Sequence, residues 1–287
     1  MTFRQQSYTS TSPQGAHQIS YSEWGDANTQ IIICVHGLTG NGRDFVEIAP
    51  ALVALGYRVI APDLPGRGLS DFLEDPADYT YAQYLQTLND LFGHLNITQA
   101  ASIDWLGVSL GGLLGMRLAA DTNSPIRRII LNDVGPFVPK AALDFIGMVI
   151  AQEYRFPSVR AMEQRMRETR GLTWGPITDA QWKQMAADNA RLLDDGSVTY
   201  RYDPKIAVMF RAQPLGEVCL WHCWDSMTQP VLTLWGKKSV LLTADIIDEM
   251  HARGPAMHVV AFDDCGHVPS LMAPEHIQAV TDWLVTF

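Results

Sequence analysis

Cysteine is scarce in this chain, and long apolar runs and a secretory leader pattern are missing from it. Four of its 287 residues are cysteines, and their spacing does not suggest a disulfide framework. No apolar run approaches the ~20 residues that a helix needs to span a bilayer. The first thirty residues lack the apolar core and small-residue cleavage site of a signal peptide. We therefore expect a cytoplasmic protein that does not enter a membrane.

Basic residues are fewer than acidic ones, and this limits the class of partner. Lys and Arg total 21 against 31 Asp and Glu, so the net charge is -10. This balance disfavours nucleic acid or an anionic membrane as the main partner and favours a small-molecule substrate. The composition, 47% hydrophobic and 18% charged, is that of an ordinary globular protein. It carries no indication of an oligomeric state.

One short motif resembles half of a metal site, Cys219-Leu220-Trp221-His222-Cys223. No second pair of ligands with matching spacing occurs elsewhere in the chain, and these residues at helical spacing fit a packing role better. We therefore expect no metal ion and no other cofactor.

The hydrophobic pattern predicts a sheet. Alternating polar and apolar residues over 5–11 and 18–24, with a turn at Pro13-Gln14-Gly15, predict two antiparallel strands. Six short apolar runs bounded by Gly, Pro or Asp predict strands that are buried on both faces, as in a parallel sheet. These runs are 31–35, 57–61, 103–106, 129–131, 231–234 and 258–262.

Helical patterns lie between those runs, at 44–55, 81–95, 110–120, 244–252 and 274–287. Alternation of strand and helix predicts a doubly wound α/β sheet. The alternation fails between Pro136 and Trp221, where the patterns at 140–154, 158–169 and 179–193 are helical and no buried strand is expected. We predict a helical cap domain at 136–221, inserted into an α/β core formed by 1–135 and 222–287. It would lie over the carboxyl ends of the strands, where such sheets bind ligands.

A candidate nucleophile lies in the pentapeptide Gly107-Val108-Ser109-Leu110-Gly111, between an apolar strand and a helical run. A serine between two glycines at a strand-to-helix junction is typical of a nucleophile elbow. The turn strains the serine backbone, and only glycines tolerate the crowding on either side. The hydroxyl of Ser109 would then stand above the sheet, at the positive end of the helix.

A candidate base and candidate oxyanion donors occur where such a nucleophile needs them. Gly266 and His267 follow the last predicted strand, so His267 suits the general base. After the strand 31–35 comes a glycine-rich loop, 36–40, in which the N–H of Leu38 can point at a developing oxyanion. The N–H of Leu110, directly after the nucleophile, would be the second donor. His36 fits a scaffold role under that loop better than a second base.

These motifs together resemble the α/β-hydrolase fold family, over nearly the whole chain. They are the segments 36–44 and 63–71, the elbow, and the Gly266-His267 pair. The chain looks most like small bacterial capped hydrolases, which include carboxylesterases and meta-cleavage-product hydrolases. The resemblance implies a mostly parallel doubly wound sheet with a cap, Ser109 as nucleophile, His267 as base, and an oxyanion hole at Leu38 and Leu110. Serine at the elbow disfavours the haloalkane dehalogenase and epoxide hydrolase branches, which use aspartate there.

The acid of the expected triad departs from the family pattern. In the family it follows the strand written here as 231–236, yet this chain has no aspartate at 239 or 240, and Val240 cannot orient an imidazolium. Three explanations stay open: Asp133 after the strand 129–131 substitutes for it, Val240 is an engineered or natural change at the acid position, or catalysis is lost. Asp133 has an equally good alternative role, capping a turn before the cap. Asp263, Asp264 and Asp245 are weaker candidates.

Hydrolysis of carboxylic esters is the function that these residues predict best. Val268 after the histidine and the sequence of the 36–40 loop depart from the branch that hydrolyses C–C bonds, although that reaction is retained as an alternative. The missing acid motivates a second alternative, a binding or receptor-like protein with little or no turnover. Even without its acid, a serine hydrolase can retain slow activity.

The substrate of such an enzyme is expected to be a small ester with an apolar acyl or aryl part. Most aromatic and methionine residues in and near the cap are expected in the core, and a few would line the cavity. No cluster of Arg and Lys marks a phosphate site, although Arg43 is placed to contact a single anionic group. The aromatic and methionine residues concerned are Phe137, Phe145, Met148, Phe156, Trp174, Trp182, Met209, Trp221 and Trp224.

Overall fold

The computed structural model of the chain describes residues 3–208, 210 and 216–287. Met209, one of the residues expected near the cap, lies outside the described residues. No helix in these three ranges combines the length and the apolar character that a membrane span requires.

An eight-stranded sheet crosses the described part of the chain in the order β1-β2-β4-β3-β5-β6-β11-β12. The pairs β1-β2 and β2-β4 are antiparallel and the other neighbours are parallel, which confirms the mostly parallel sheet and the antiparallel pair at its start. The strands, numbered in chain order, are β1 (Arg4–Ser12), β2 (Gly15–Trp24), β3 (Gln30–Val35), β4 (Tyr57–Pro62), β5 (Ile103–Val108), β6 (Ile126–Asn132), β11 (Val231–Gly236) and β12 (Met257–Phe262).

Helices cover both faces of the sheet, so its central strands are buried on both sides. Two apolar clusters form, one on each side, and the side chains of Ile32 and Ile33 at the centre of β3 are fully buried in different clusters. This explains why the parallel strands are continuous apolar runs. The helices outside the predicted cap are α1 (Ala49–Ala54), α2 (Tyr81–His94), α3 (Leu110–Ala119), α8 (Ala244–Ala252) and α9 (Pro274–Thr286).

The predicted helix at 44–55 is wrong in its first half. A 3-10 turn spans Gly42–Phe45, and α1 begins only at Ala49. Pro50 lies in the first turn of α1, where its missing N–H costs nothing. A helix running through from residue 44 would place Pro50 in its interior, where it removes a hydrogen bond and clashes with the preceding turn.

Residues 136–221, called the inserted segment below, are mainly helical but not entirely so. Their helices are α4 (Lys140–Ile150), α5 (Val159–Arg170) and α6 (Asp179–Asn189), and α7 (Trp221–Ser226) follows at the far end. The segment also contains strands that the sequence patterns did not predict, all of them short and outside the eight-stranded sheet. Two short antiparallel pairs form: β7 (Phe137–Val138) with β10 (Val218–Cys219), and β8 (Ala190–Leu192) with β9 (Val198–Tyr200).

The pair β8-β9 also explains why α6 ends before residue 193. Gly196 has a φ of +82°, which allows the chain to reverse, and its N–H donates to the carbonyl of Leu193 at 2.9 Å. The chain after Asn189 therefore returns as a hairpin instead of continuing as helix. Of the apolar residues expected mostly in the core, Phe145 and Met148 lie on the outer face of α4 with 56% and 64% of their surface exposed. The assignment of this segment as a separate cap domain stays a prediction.

Candidate active site

The elbow between β5 and α3 has the strained geometry that its sequence predicts. Ser109 lies in the positive-φ region, with φ 49° and ψ -111°, and its N–H donates to the carbonyl of Asn132 at 3.1 Å. A Cβ atom at Gly107 would lie 2.4 Å from the carbonyl oxygen of Gly111, and one at Gly111 would lie 2.0 Å from that of Val35. Only glycine fits at both places. Strain of this kind costs about 1–3 kcal/mol and is concentrated at functional sites.

His267, on the loop after β12, lies between a hydroxyl and a carboxylate. Its Nε2 is 3.0 Å from the Ser109 Oγ, and its Nδ1 is 2.8 Å from Oδ2 of Asp133. A carboxylate only accepts hydrogen bonds, so Nδ1 carries the proton and donates it to Asp133. Nε2 is then free to accept the proton of the serine hydroxyl. The imidazole is partly accessible, with 21% of its side-chain surface exposed, whereas Asp133 is fully buried.

Asp133 is held by the strand end where the family pattern places its own acid. The backbone N–H of Gly236 donates to Oδ1 at 2.9 Å, and the hydroxyl of Ser239 donates to Oδ2 at 2.5 Å. The N–H groups of Leu241 and Leu242 each donate to the Ser239 Oγ at 3.2 Å, which fixes that hydroxyl. The carboxylate of Asp133 thus accepts hydrogen bonds from two other loops. A residue that only capped its own turn would not make these contacts.

Val240 faces away from this cluster. Its side chain is 62% exposed, while its neighbour Ser239 contacts the carboxylate of Asp133. Of the two positions at which the sequence led us to expect an acid, position 239 is therefore the one that contacts the carboxylate bonded to His267, and position 240 is exposed.

The loop after β3 lies against the nucleophile. A Cβ atom on Gly37 would be 3.6 Å from the Cβ of Ser109, so the two backbones are close neighbours. Leu38 follows directly, and its carbonyl accepts from the Nε of Arg67 at 2.9 Å. Leu110 is the first residue of α3, where a backbone N–H has no acceptor within the helix and stands at the positive end of the helix dipole. The N–H groups of Leu38 and Leu110 are the two oxyanion donors that we predict from the sequence.

His36 supports this loop with both ring nitrogens. Its Nε2 accepts from the N–H of Leu64 at 3.0 Å, so Nδ1 carries the proton and donates to the carbonyl of Gly37 at 2.6 Å. Complete burial, opposed by the hydrogen bond to the Gly37 carbonyl and reinforced by the nearby charge of Arg67, lowers the pKa of His36 to about 3. The ring is neutral at neutral pH, and neither nitrogen is free to act as a base.

Arg67 is a residue that the sequence reading did not single out. The side chain is fully buried, and besides Leu38 it donates through Nη1 to the carbonyl of Pro65 at 2.6 Å and to the Tyr84 hydroxyl at 2.8 Å. A charged group is rarely buried to this extent unless it has a structural or functional task. Arg67 lies within the 63–71 motif, which could have marked it as a candidate. The motif alone does not reveal its contact with Leu38.

The inserted segment holds the histidine loop from the opposite side. The carbonyl of Thr173 accepts from the N–H of Gly266 at 2.7 Å, and the carbonyl of Trp174 accepts from the N–H of Ser270 at 3.1 Å. These two hydrogen bonds flank His267 along the chain. They bring the stretch after α5 against the loop that carries the histidine.

Arg43 contacts a carboxylate and an aromatic ring of the chain, and its expected contact with an anionic ligand stays a prediction. Its Nε lies 3.3 Å from Oδ1 of Asp188, and its guanidinium carbon lies 3.7 Å from the centre of the Phe3 ring. The Arg43 side chain therefore joins the inserted segment to the start of the chain.

Metal-binding residues do not cluster in the part of the chain that the structure describes. There, no group of three or more His, Cys, Asp or Glu side chains could hold a metal ion. Within the motif singled out earlier, Sγ of Cys223 is 3.2 Å from Nε2 of its neighbour His222, and Cys219 is exposed. The four cysteines are all free thiols.

This chain is similar to known hydrolases along nearly its full length. A family model described as the alpha/beta hydrolase fold matches residues 30–274. The 3-hydroxybutyrate-oligomer hydrolase of Cupriavidus necator is 38% identical over 280 residues, which is 93% of this chain and 92% of that protein.

Two solved structures are similar in fold as well as in sequence. A putative hydrolase from Rickettsia typhi has a TM-score of 0.90 and 29% identity, with 100% of both chains covered. An alpha/beta hydrolase from Novosphingobium aromaticivorans has a TM-score of 0.83 and 32% identity, with 99% of both chains covered.

Proposed function

The chain belongs to the alpha/beta hydrolase family, and on that premise we propose that it is a serine hydrolase of carboxylic esters. One observation carries the proposal: the Ser109 hydroxyl donates to Nε2 of His267 at 3.0 Å, and Nδ1–H of His267 donates to Asp133 at 2.8 Å. This is the arrangement in which a base activates a nucleophile and a third group orients the base.

In the acylation half of this mechanism, the Oγ of Ser109 attacks the carbonyl carbon of the ester. Its proton passes to Nε2 of His267, and the carboxylate of Asp133 stabilises the imidazolium that forms. The carbonyl oxygen becomes an oxyanion, which the N–H groups of Leu38 and Leu110 bind. The C–O bond then breaks, and His267 returns the proton to the leaving alcohol.

In the second half, water replaces the alcohol. His267 accepts a proton from the water as it attacks the acyl group on Ser109, and the second tetrahedral intermediate uses the same oxyanion donors. The serine oxygen leaves with the proton from His267, so the products are one carboxylic acid, one alcohol and the unchanged enzyme. No step requires a metal ion or a redox partner.

For the substrate, we propose esters of short 3-hydroxyalkanoate chains. The support is the 38% identity, over 93% of this chain, to a protein named as a 3-hydroxybutyrate-oligomer hydrolase. Such oligomers consist of ester bonds between small, largely apolar units, in keeping with the apolar acyl part that the sequence predicts.

The two alternatives from the sequence have less support. A binding or receptor-like role was motivated by the missing acid at residue 240, and a buried carboxylate 2.8 Å from Nδ1 of His267 removes that motive. For hydrolysis of C–C bonds, no contact in the described residues favours it over the ester reaction.

Covalent labelling and a chromogenic ester test the proposal. A fluorophosphonate should label Ser109, and p-nitrophenyl butyrate should give a burst followed by steady turnover, because the acyl-enzyme forms before it is hydrolysed. Both signals should disappear in Ser109→Ala and persist in Ser102→Ala, an exposed serine whose hydroxyl only bonds the carbonyl of Gln99. A hydrolysis rate that Ser109→Ala leaves unchanged would contradict the proposed nucleophile.

A further inference from the structure

Asn132 is a polar side chain at the carboxyl end of β6, directly after the buried apolar run 129–131. It is itself fully buried. In the sheet it lies between Val108 of β5, the residue before the nucleophile, and Leu234 of β11. Side chains at such a position, in a strand covered on both faces, are usually apolar. A buried amide here therefore calls for a specific partner.

The amide of Asn132 bonds the loop that carries His267. Its Nδ2 donates to the carbonyl of Pro269, two residues after the histidine, at 2.8 Å. Because a carbonyl only accepts hydrogen bonds, the NH2 group and not the amide oxygen faces Pro269. The amide oxygen is buried without a hydrogen-bond partner among the described residues. The polar contact of this side chain within the described structure is thus directed at the histidine loop.

The backbone of Asn132 is connected to the other two members of the triad. Its carbonyl accepts from the N–H of Ser109 at 3.1 Å. The next residue along the chain is Asp133, whose carboxylate accepts from Nδ1 of His267 at 2.8 Å. Asn132 therefore contacts the nucleophile through its main chain, the loop of the base through its side chain, and the acid as its chain neighbour.

The other backbone ties of the histidine loop come from different parts of the fold. The N–H groups of Gly266 and Ser270 donate to carbonyls of the inserted segment, and the carbonyl of Cys265 accepts from the N–H of Lys238. Without the amide of Asn132, the loop would stay attached to the inserted segment and to the loop after β11. Its backbone would have no hydrogen bond to β6 in the described part of the chain.

We propose that Asn132 is a positioning residue of the triad, an inference that rests on the proposed ester hydrolysis. The side chain touches no reacting atom. It fixes the distance between the histidine loop and the end of β6, and with it the alignment of Nε2 of His267 with the hydroxyl of Ser109. Catalysis depends steeply on such alignment, since a displacement of about 1 Å can cost about a hundredfold in rate.

Two substitutions remove the donor and differ in packing. Asn132→Ala leaves a space, whereas Asn132→Val fills it with a side chain suited to a buried strand. In the hydrolysis of p-nitrophenyl butyrate, we expect each of them to lower kcat about ten- to a hundredfold, with less than about threefold change in KM. Thermal unfolding shows whether each variant is folded.

Asn28→Ala is the matched control. The amide of Asn28 likewise donates to backbone carbonyls, those of Val53 and Tyr57. It lies before β3, at the opposite end of that strand from the 36–40 loop. We expect Asn28→Ala to leave kcat unchanged, so a loss in both asparagine variants would point to general damage and overturn the inference.

A double-substitution cycle separates positioning from structural damage. In the His267→Ala background, Asn132→Ala should change the residual rate by less than about threefold, because no imidazole is left to align. Equal fold-losses with and without His267 would overturn the inference. So would a wild-type kcat in folded Asn132→Val, which would reduce the role of the side chain to packing. If the wild-type protein does not hydrolyse p-nitrophenyl butyrate, the proposed function itself fails, whereas normal kcat in the variants of an active enzyme refutes only the positioning role.

Discussion

Replacing Asp133 by asparagine removes the charge beside His267 and leaves the size of the side chain nearly unchanged. Oδ2 now accepts from Nδ1 of His267 at 2.8 Å and from Ser239 at 2.5 Å. An asparagine NH2 in that position would instead donate to Nδ1, so the ring would keep its proton on Nε2. Nε2 could then no longer accept the proton of Ser109. Loss of the acid in this way lowers kcat about 10⁴-fold in a serine protease, and we expect a loss of about 10³- to 10⁴-fold here.

The assay is steady-state and burst hydrolysis of p-nitrophenyl butyrate, with thermal unfolding to show that the variant is folded. A variant Asp133→Asn that is folded and keeps about a third of the wild-type kcat or more would refute the role of this residue as the acid. Val240→Asp serves as the comparison. We expect it to change kcat little, because the side chain at 240 is 62% exposed and faces away from the cluster.

A second substitution sharpens this prediction. The Ser239 Oγ is 2.5 Å from the oxygen that bonds His267, so a carboxylate introduced by Ser239→Asp should reach the same histidine. In the Asp133→Asn background, Ser239→Asp should recover about tenfold or more of the lost kcat by restoring an acceptor at Nδ1. Recovery from position 240 and not from 239 would show that the loop geometry described here is wrong.

Three further predictions concern the support of the site. Arg67→Met should lower kcat about ten- to a hundredfold, because the carbonyl of Leu38 loses its donor and the 36–40 loop loses its fixed position. Normal turnover by a folded variant would argue against a role of Arg67 in holding this loop. Gly111→Ala should lower the free energy of unfolding, measured in urea, by about 3 kcal/mol or more, since its Cβ would meet a carbonyl oxygen at 2.0 Å. Gly93→Ala in open space on α2 should change it by no more than about 1 kcal/mol, in the stabilising direction. Because the pKa of His36 is about 3 when folded, against about 6.5 unfolded, stability is fully present above pH 6.5 and is lost as the pH falls. The free energy of unfolding should fall by about 1.4 kcal/mol per pH unit below that pH in the wild-type protein, and this dependence should be absent in His36→Asn. The same dependence on pH in both proteins, measured by urea unfolding, would contradict the prediction.

The strands and the elbow could be predicted because local chemistry specifies them. A run buried on both faces has to be apolar, and the turn around Ser109 needs glycine at 107 and 111 whatever the rest of the fold does. The role of Asp133 could not be resolved in the same way. Aspartate serves equally well in a turn cap and beside a histidine, and only the neighbour relation of β6 and β11 brings it to Ser239 and His267.

The remaining errors have a common cause, which is that short elements depend on contacts between distant residues. The strand pair β8-β9 contains three residues on each strand, too few for alternation to distinguish it from the end of α6.

The two hydrogen bonds that the histidine loop donates to the carbonyls of Thr173 and Trp174 have a mechanical consequence. A movement of the inserted segment away from the sheet has to break both bonds or pull the residues around His267 with it. The position of the inserted segment and the alignment of the base are thereby linked through the same short stretch of backbone. Any ligand or substitution that displaces that stretch should therefore also disturb the distance between His267 and Ser109.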